Sequence, residues 1–296
     1  MKTAPDRAFD ELLADPRMAL RRPPADLPLA VVRKAANRFM AQAPRPPIHA
    51  TEDLTIAGPG GVLALRLYRS TADEALPVIL FCHGGGFMFG DLETHDAMCR
   101  ALANAARAAV IAVGYRLAPE HPYPAAHDDC RTALMWIERE AAAWGLDPER
   151  LAIAGDSAGG LLALHTALSA RRVRHVAMLY PLLDPARSSA SAQALSEGYM
   201  LTGSFIDWAW ESYAPPVLPD PSFAAIPSAT IVTAGFDPLR DEGEALVPRL
   251  AADGVAVTLR RYPGMIHGFA GMAQYTPIAD EALAFVGGQL RAALTP

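Results

Sequence analysis

Residues 151–168 read LAIAGDSAGGLLALHTAL. Leu151 to Ala154 is a short apolar run of strand length, and Leu161, Leu162, Leu164 and Leu168 give the segment beyond it the apolar content of a buried helix. Between them lies Gly155-Asp156-Ser157-Ala158-Gly159, a Gly-x-Ser-x-Gly pattern continued by Gly160. As a bare pattern the signal is weak. Set between a strand and a helix it predicts a nucleophile elbow, where small neighbours let the two elements approach and the serine is forced outward on a strained turn. The helix start beneath it also favours developing negative charge. A merely glycine-rich turn is the bland alternative; the flanking elements favour Ser157 as a nucleophile.

Outward from this stretch, short apolar runs alternate with helical ones. The strand candidates are Val78 to Cys82, Val110 to Val113, Leu151 to Ala154, Val176 to Tyr180, Thr230 to Thr233 and Val255 to Leu259. Helical patterns cover Ala125 to Ala143, Ala158 to Ala170, Leu239 to Ala252 and Ile278 to Leu294. That alternation predicts an α/β fold with a parallel sheet covered on both faces. Ahead of it, Leu54 to Ile56 and Val62 to Tyr68 flank the turn Gly58-Pro59-Gly60-Gly61 and read as a hairpin. Residues 1–48 hold two amphipathic patterns, Phe9-Leu12-Leu13 and Val32-Ala35-Ala36-Phe39-Met40. Pro23-Pro24 separates them and Pro44-Arg45-Pro46-Pro47 closes the second, since proline cannot continue a helix. Residues 185–225, rich in Ser, Pro and aromatics, break the alternation and read as an insertion above the sheet.

Composition narrows the function classes. The chain has 296 residues, 51% of them apolar and 20% charged, enough to build a large core and unlike a disordered segment. Twenty-six basic against 32 acidic residues give a net charge of −6, with the basic residues scattered, so nucleic acid is not expected as a partner. MKTAPDRAFDELLAD at the N-terminus lacks the apolar stretch of a signal peptide, and no 18-residue charge-free apolar run occurs. A cytoplasmic protein without stable membrane insertion is the expectation. Cys82, Cys99 and Cys130 have no CxxC spacing, which indicates neither a disulfide framework nor a metal site and suggests buried thiols.

The remaining chemistry sits at other strand ends. His83-Gly84-Gly85-Gly86-Phe87 follows the strand ending at Cys82, and its glycines leave backbone N–H groups free to face a ligand. Gly85 and Gly86, joined by Ala158, are the expected oxyanion-hole donors. His83 begins that loop and is read as holding it rather than as a base. A serine hydroxyl needs a base, and the base an orienting carboxylate, in the order Ser, acid, His. Three histidines lie beyond Ser157. His165 falls mid-helix and His175 precedes a strand at its far end, whereas His267 follows the last strand in the loop PGMIHGF, with room to reach across. Asp237 leaves the neighbouring strand and is the expected acid, with Asp184 as runner-up. Asp241 and Glu242 fall one turn into the next helix, where acids cap or solvate the first turn.

HGGGF at 83–87, GDLETHD at 90–96, YRLAPEHPYPAA at 115–126, GDSAGG at 155–160, DPLRDEG at 237–243 and HGF at 267–269 together resemble the bacterial hormone-sensitive-lipase-like esterases, family IV. The likeness covers nearly the whole chain. It implies an α/β-hydrolase fold with an eight-stranded, mainly parallel sheet, and carboxylic ester hydrolysis without metal or cofactor. It carries Ser157 as nucleophile, Asp237 as acid, His267 as base, and Gly85, Gly86 and Ala158 as oxyanion donors. It also implies a helical cap formed by residues 1–48 and 185–225 over a core of residues 49–184 and 226–296. Arg116 and Glu120 lie in a segment it marks as structural, and Asp156 is read as shaping the elbow.

The expected activity is hydrolysis of a small-molecule ester of short to medium acyl chain through an acyl-enzyme. A cap containing Met18, Phe39, Met40, Phe205, Trp208 and Trp210 would limit chain length, although most of these side chains are expected to fill the cap's own small core. An amidase or deacetylase of the same fold would use the same triad, and matched ester and amide substrates separate the two. A non-catalytic ligand-binding relative would keep the pocket without turnover. A homodimer through an outer strand or the last helix is compatible with the pattern.

Overall fold

The apolar runs become strands and most helical patterns become helices in the computed structural model, which describes residues 4–216 and 221–295. Residues 1–3 of the N-terminal segment, 217–220 of the insertion and the last residue lie outside the described residues. The strands are β1 (Ala50–Gly58), β2 (Gly61–Arg69), β3 (Leu76–Cys82), β4 (Ala109–Gly114), β5 (Leu146–Asp156), β6 (His175–Leu179), β7 (Ser228–Phe236) and β8 (Ala256–Ile266). They form one sheet in the order β1-β2-β4-β3-β5-β6-β7-β8. β1 pairs antiparallel with β2 and β2 with β4, and β3 to β8 run parallel. The eight-stranded, mainly parallel sheet of an α/β hydrolase is thus present. In the hairpin Gly58 faces Gly61 across Pro59-Gly60, and Gly61, where the chain enters β2, takes a φ of +115° that only glycine adopts readily.

The central strands are buried on both faces, so their side chains alternate between two cores. Val78, Leu80 and Cys82 of β3 join the core under helices α4 (Ala125–Glu140), α5 (Ala158–Ala167) and α8 (Arg240–Ala252). Ile79 and Phe81 point the other way, into the core under α3 (Asp96–Ala106) and α9 (Ile278–Leu294). α3 is absent from the helical patterns named above. Its buried stripe is Met98, Cys99, Leu102, Ala103 and Ala106, and alanine gives such a stripe little contrast in a sequence. β8 runs past the apolar segment that predicts it, because this edge strand is half solvated and carries Arg260 and Arg261, paired with Glu281 and Glu244.

Two segments lie outside this layered body. The N-terminal one holds α1 (Asp10–Ala14) and α2 (Leu29–Met40), and the inserted one α6 (Ala190–Ala194) and α7 (Gly203–Tyr213). They meet at Leu20, whose N–H donates to Met200 O at 2.7 Å and whose carbonyl accepts the Thr202 hydroxyl. Arg22 and Glu211 add an ion pair at 2.6 Å.

Helix α9 docks so closely on α3 that a Cβ on Gly287 would lie 2.3 Å from Ala105 Cβ, whereas one on Gly288 would meet nothing within 4 Å. Alanine in an open helix position gains about 1 kcal/mol over glycine, but overpacking a filled site costs about 1–3 kcal/mol. Gly288→Ala should therefore raise the urea midpoint and Gly287→Ala lower it. Shifts of the same sign would show that helix propensity, not the α3–α9 contact, governs both.

Candidate active site

The end of β5 fixes the centre of the site. Ser157 stands between β5 and α5 at φ +53° and ψ −123°, a conformation L residues rarely hold and one that tight packing must enforce. That packing is glycine's: a Cβ on Gly155 would lie 2.1 Å from Gly159 O, and one on Gly159 would lie 2.1 Å from Cys82 O. Strand, turn and helix thereby press against the end of β3.

Two further strand ends bring the partners. Asp237 follows β7 and His267 follows β8. Ser157 Oγ lies 2.9 Å from His267 Nε2, and His267 Nδ1 lies 2.8 Å from Asp237 Oδ2. Asp237 is fully buried, and its other oxygen accepts the Leu239 N–H at 2.8 Å. The Tyr180 ring meets the imidazole edge-on at 5.0 Å. Asp184 is engaged elsewhere, accepting bonds from Ala186 and Ser188 in its own turn.

Beside the serine, Gly85 and Gly86 adopt φ of +118° and +59°. Among the described residues their N–H groups meet no acceptor. Ala158 opens α5, where a helix leaves its first N–H groups unsatisfied. The chain entering this cradle is held from below: Gly84 N–H donates to Asp156 Oδ1 at 2.8 Å, and His95 Nε2 lies 3.2 Å from the same oxygen. Burial penalises the Asp156 carboxylate, yet His95 and the Gly84 N–H outweigh that and hold its pKa below the usual carboxylate value. His83 stacks on Tyr115 at 4.1 Å with Nδ1 2.8 Å from Gly84 O. Burial, with help from His95, pushes its pKa down to about 4, so it is neutral at neutral pH.

The other sequence candidates lie apart. His165 sits 3.1 Å from His127, and His175 lies 2.8 Å from both Ser228 and Thr230. Arg116 is bidentate on Asp129, and Glu120 binds Arg33. Glu242 is a correction. Rather than solvating the first turn of α8 it is buried, its Oε1 accepting the Leu183 N–H at 2.6 Å. Asp241 likewise reaches across, to the Ser191 N–H at 2.8 Å.

Gly85, Gly86, Ser157 and His267 open onto a cavity of about 620 Å³. Met18, Phe39, Met40, Phe205 and Trp208 line it, against the expectation that most of these would fill a core of their own. Trp210 turns inward, against Phe87 at 5.5 Å, and Phe205, though it borders the cavity, is buried in the same core. The whole stripe Val32, Ala35, Ala36, Phe39 and Met40 faces the cavity, so the amphipathic period of α2 marks a wall of the pocket. Among the described residues no group of three or more His, Cys, Asp or Glu side chains is placed to hold a metal ion. No helix there is long and apolar enough to cross a membrane.

A hydroxyl, an imidazole and a carboxylate in one row, with free amides beside the hydroxyl, is the arrangement by which serine hydrolases transfer acyl groups. Carried on three strand ends of this sheet, it defines an α/β hydrolase. Comparison with known proteins agrees. The family model of the alpha/beta hydrolase fold matches residues 79–271. The carboxylic ester hydrolase LipN of Mycobacterium tuberculosis is 39% identical over an alignment of 267 positions that covers 82% of this chain and 71% of that protein. The ethyl acetate hydrolase of Pseudomonas putida is 39% identical over an alignment of 246 positions that covers 77% of each chain. The structure of an ester hydrolase from the metagenome of Lake Arreo, complexed with a bipyridine phosphonate derivative, matches with a TM-score of 0.89 at 37% identity. It covers 97% of this chain and 98% of that one. The chain belongs to the α/β hydrolase fold family and is a carboxylic ester hydrolase.

Glu242 generates a pH-dependent expectation. Burial, reinforced by Asp184 and Asp237, pushes its pKa from 4.5 up to about 8. The folded state therefore holds this proton more tightly than the unfolded chain, and stability falls as pH rises from about 4.5 through 8. Glu242→Gln should raise the melting temperature relative to the parent at pH 9 and much less at pH 5. An equal shift at both would mean that ionisation of Glu242 is not the cause.

Proposed function

We propose that the protein hydrolyses short- to medium-chain carboxylic esters through an acyl-enzyme on Ser157. The observation that carries this is the Ser157–His267–Asp237 row, at 2.9 and 2.8 Å, opening onto an apolar cavity of about 620 Å³. His267 takes the Ser157 proton as Oγ attacks the ester carbonyl, and the N–H groups of Gly85, Gly86 and Ala158 receive the oxyanion. His267 then protonates the departing alcohol. Water, activated by the same imidazole, releases the acid, while Asp237 fixes the ring's tautomer and stabilises its charged form.

Substrate size follows from the walls. In this reading residues 1–48 and 185–225 form a cap over a core of residues 49–184 and 226–296, and the cap supplies most of the apolar lining. In this reading the cavity, within the range of small-ligand sites, holds a short or medium acyl chain against its apolar walls. The relatives named for hydrolysis of carboxylic esters, ethyl acetate among them, support this choice.

Ser157→Ala should lower kcat by roughly 10⁶ and abolish labelling by a fluorophosphonate; near-full turnover refutes the assignment. Asp237→Asn should cost about 10⁴ in rate while Asp184→Asn costs little, and the reverse order would transfer the role to Asp184. Across nitrophenyl esters from acetate to palmitate, kcat/KM should peak at short or medium length. A maximum at palmitate would overturn the size argument.

A further inference from the structure

We propose that Arg33 and Asn37 on α2 are positioning residues for the amide cradle at Gly85 and Gly86. The inference rests on the reading of those amides as oxyanion donors. It starts from how the chain leaves the cradle. Gly85 O accepts the N–H groups of Met88 at 3.1 Å and Phe89 at 2.9 Å, so residues 85–89 close into one tight turn. Gly90, at φ +89°, then brings the chain back beneath its own start. A Cβ there would lie 2.6 Å from Gly84 O and 2.6 Å from His83 Nδ1. The exit of the loop thus packs against its entry, and a shift at Gly90 moves the peptides that carry the donors.

What fixes the exit comes from the N-terminal segment. Arg33 Nε donates to Met88 O at 2.8 Å and Nη2 to Ala118 O at 3.2 Å. The two Nη groups also hold both oxygens of Glu120, at 3.0 and 2.9 Å. Ala118 N–H in turn donates to Phe87 O at 2.9 Å, so one guanidinium locks two backbone strands of the loop region together. One helical turn on, Asn37 Oδ1 accepts the Gly90 N–H at 3.0 Å and Asn37 Nδ2 donates to Asp91 Oδ2 at 2.9 Å. Residues four apart share a helix face. This polar face holds the loop, while the neighbouring stripe of Val32, Ala36, Phe39 and Met40 walls the cavity. α2 therefore touches the substrate space with one face and the donors' scaffold with the next.

Amide donors act only when aimed at the developing charge, and a misplacement of about 1 Å costs on the order of 100-fold in rate. Removing these anchors should accordingly appear in kcat, with ground-state binding on the apolar stripe retained. The experiment compares Arg33→Met, Asn37→Ala and Asn37→Asp with the parent on p-nitrophenyl butyrate. Rates are taken per competent site, counted by fluorophosphonate titration, and melting temperatures are recorded alongside. Arg33→Met and Asn37→Ala should each lower kcat by about 10- to 100-fold, leave KM within about threefold, and weaken an alkyl boronic acid in the same proportion as kcat. Asn37→Asp sets two carboxylates against each other and should behave likewise, while Asn37→Asp with Asp91→Asn exchanges the partners and should recover most of the rate. Unchanged kcat per competent site, or a loss confined to KM, overturns the proposal, as does a loss of kcat without weaker boronic acid binding. Should Arg33→Met not fold, Asn37→Ala and the exchange decide alone. If Ser157→Ala abolishes turnover while these variants keep theirs, only this proposal fails; if Ser157→Ala stays active, the reading of the site itself falls.

Discussion

The approach of the β5–α5 turn to the end of β3 is the constraint on which everything else in the molecule depends. Gly159 lies so close to the Cys82 carbonyl that no side chain fits between them. That contact forces Ser157 into its positive-φ conformation, and it sets the serine beside the loop that β3 delivers. Parallel pairing then supplies the rest. With β6, β7 and β8 in register beside β5, residues far apart in sequence emerge at the same edge of the sheet. Strain at a single residue is sustained because the surrounding layers over-determine it.

Buried charge serves the same end. Asp156 and Asp237 lie almost wholly out of water, and each is stabilised by an imidazole and a backbone N–H. Their partners satisfy the carboxylates and, in doing so, fix the peptides or the ring they touch. Glu242 differs: its second oxygen is buried without a partner among the described residues, so it titrates where a surface glutamate would not. It ties the chain after β6 to α8, next to Asp237.

Much of this is legible in the sequence where local pattern and global fold coincide. The hairpin around Pro59-Gly60 announces itself by its turn residues, and the central strands by unbroken apolar runs, because a strand buried on both faces has no polar alternation to obscure it. Ser157 stands out through the elements on either side of it, and Asp237 and His267 through strand order. Three features stay hidden for physical reasons. α3 buries alanines and a cysteine, which carry little hydrophobic contrast. β8 lies at an edge, and its arginines mask its length. The burial of Glu242 depends on a partner segment some sixty residues away, which no local pattern reports. The stripe on α2 is visible as periodicity, yet periodicity cannot say whether an apolar face meets protein or a pocket.

That stripe has a thermodynamic consequence. None of α2's residues is buried, and Val31 is 54% exposed. A helix normally draws most of its stability from packing an apolar face, not from propensity. Here Leu29, Val32, Ala36 and Phe39 pack only partly against the two cores, and the rest of that face is left to the cavity. A guest that binds this wall only when it is folded stabilises the wall by mass action, so occupancy of the chamber and the stability of α2 rise together.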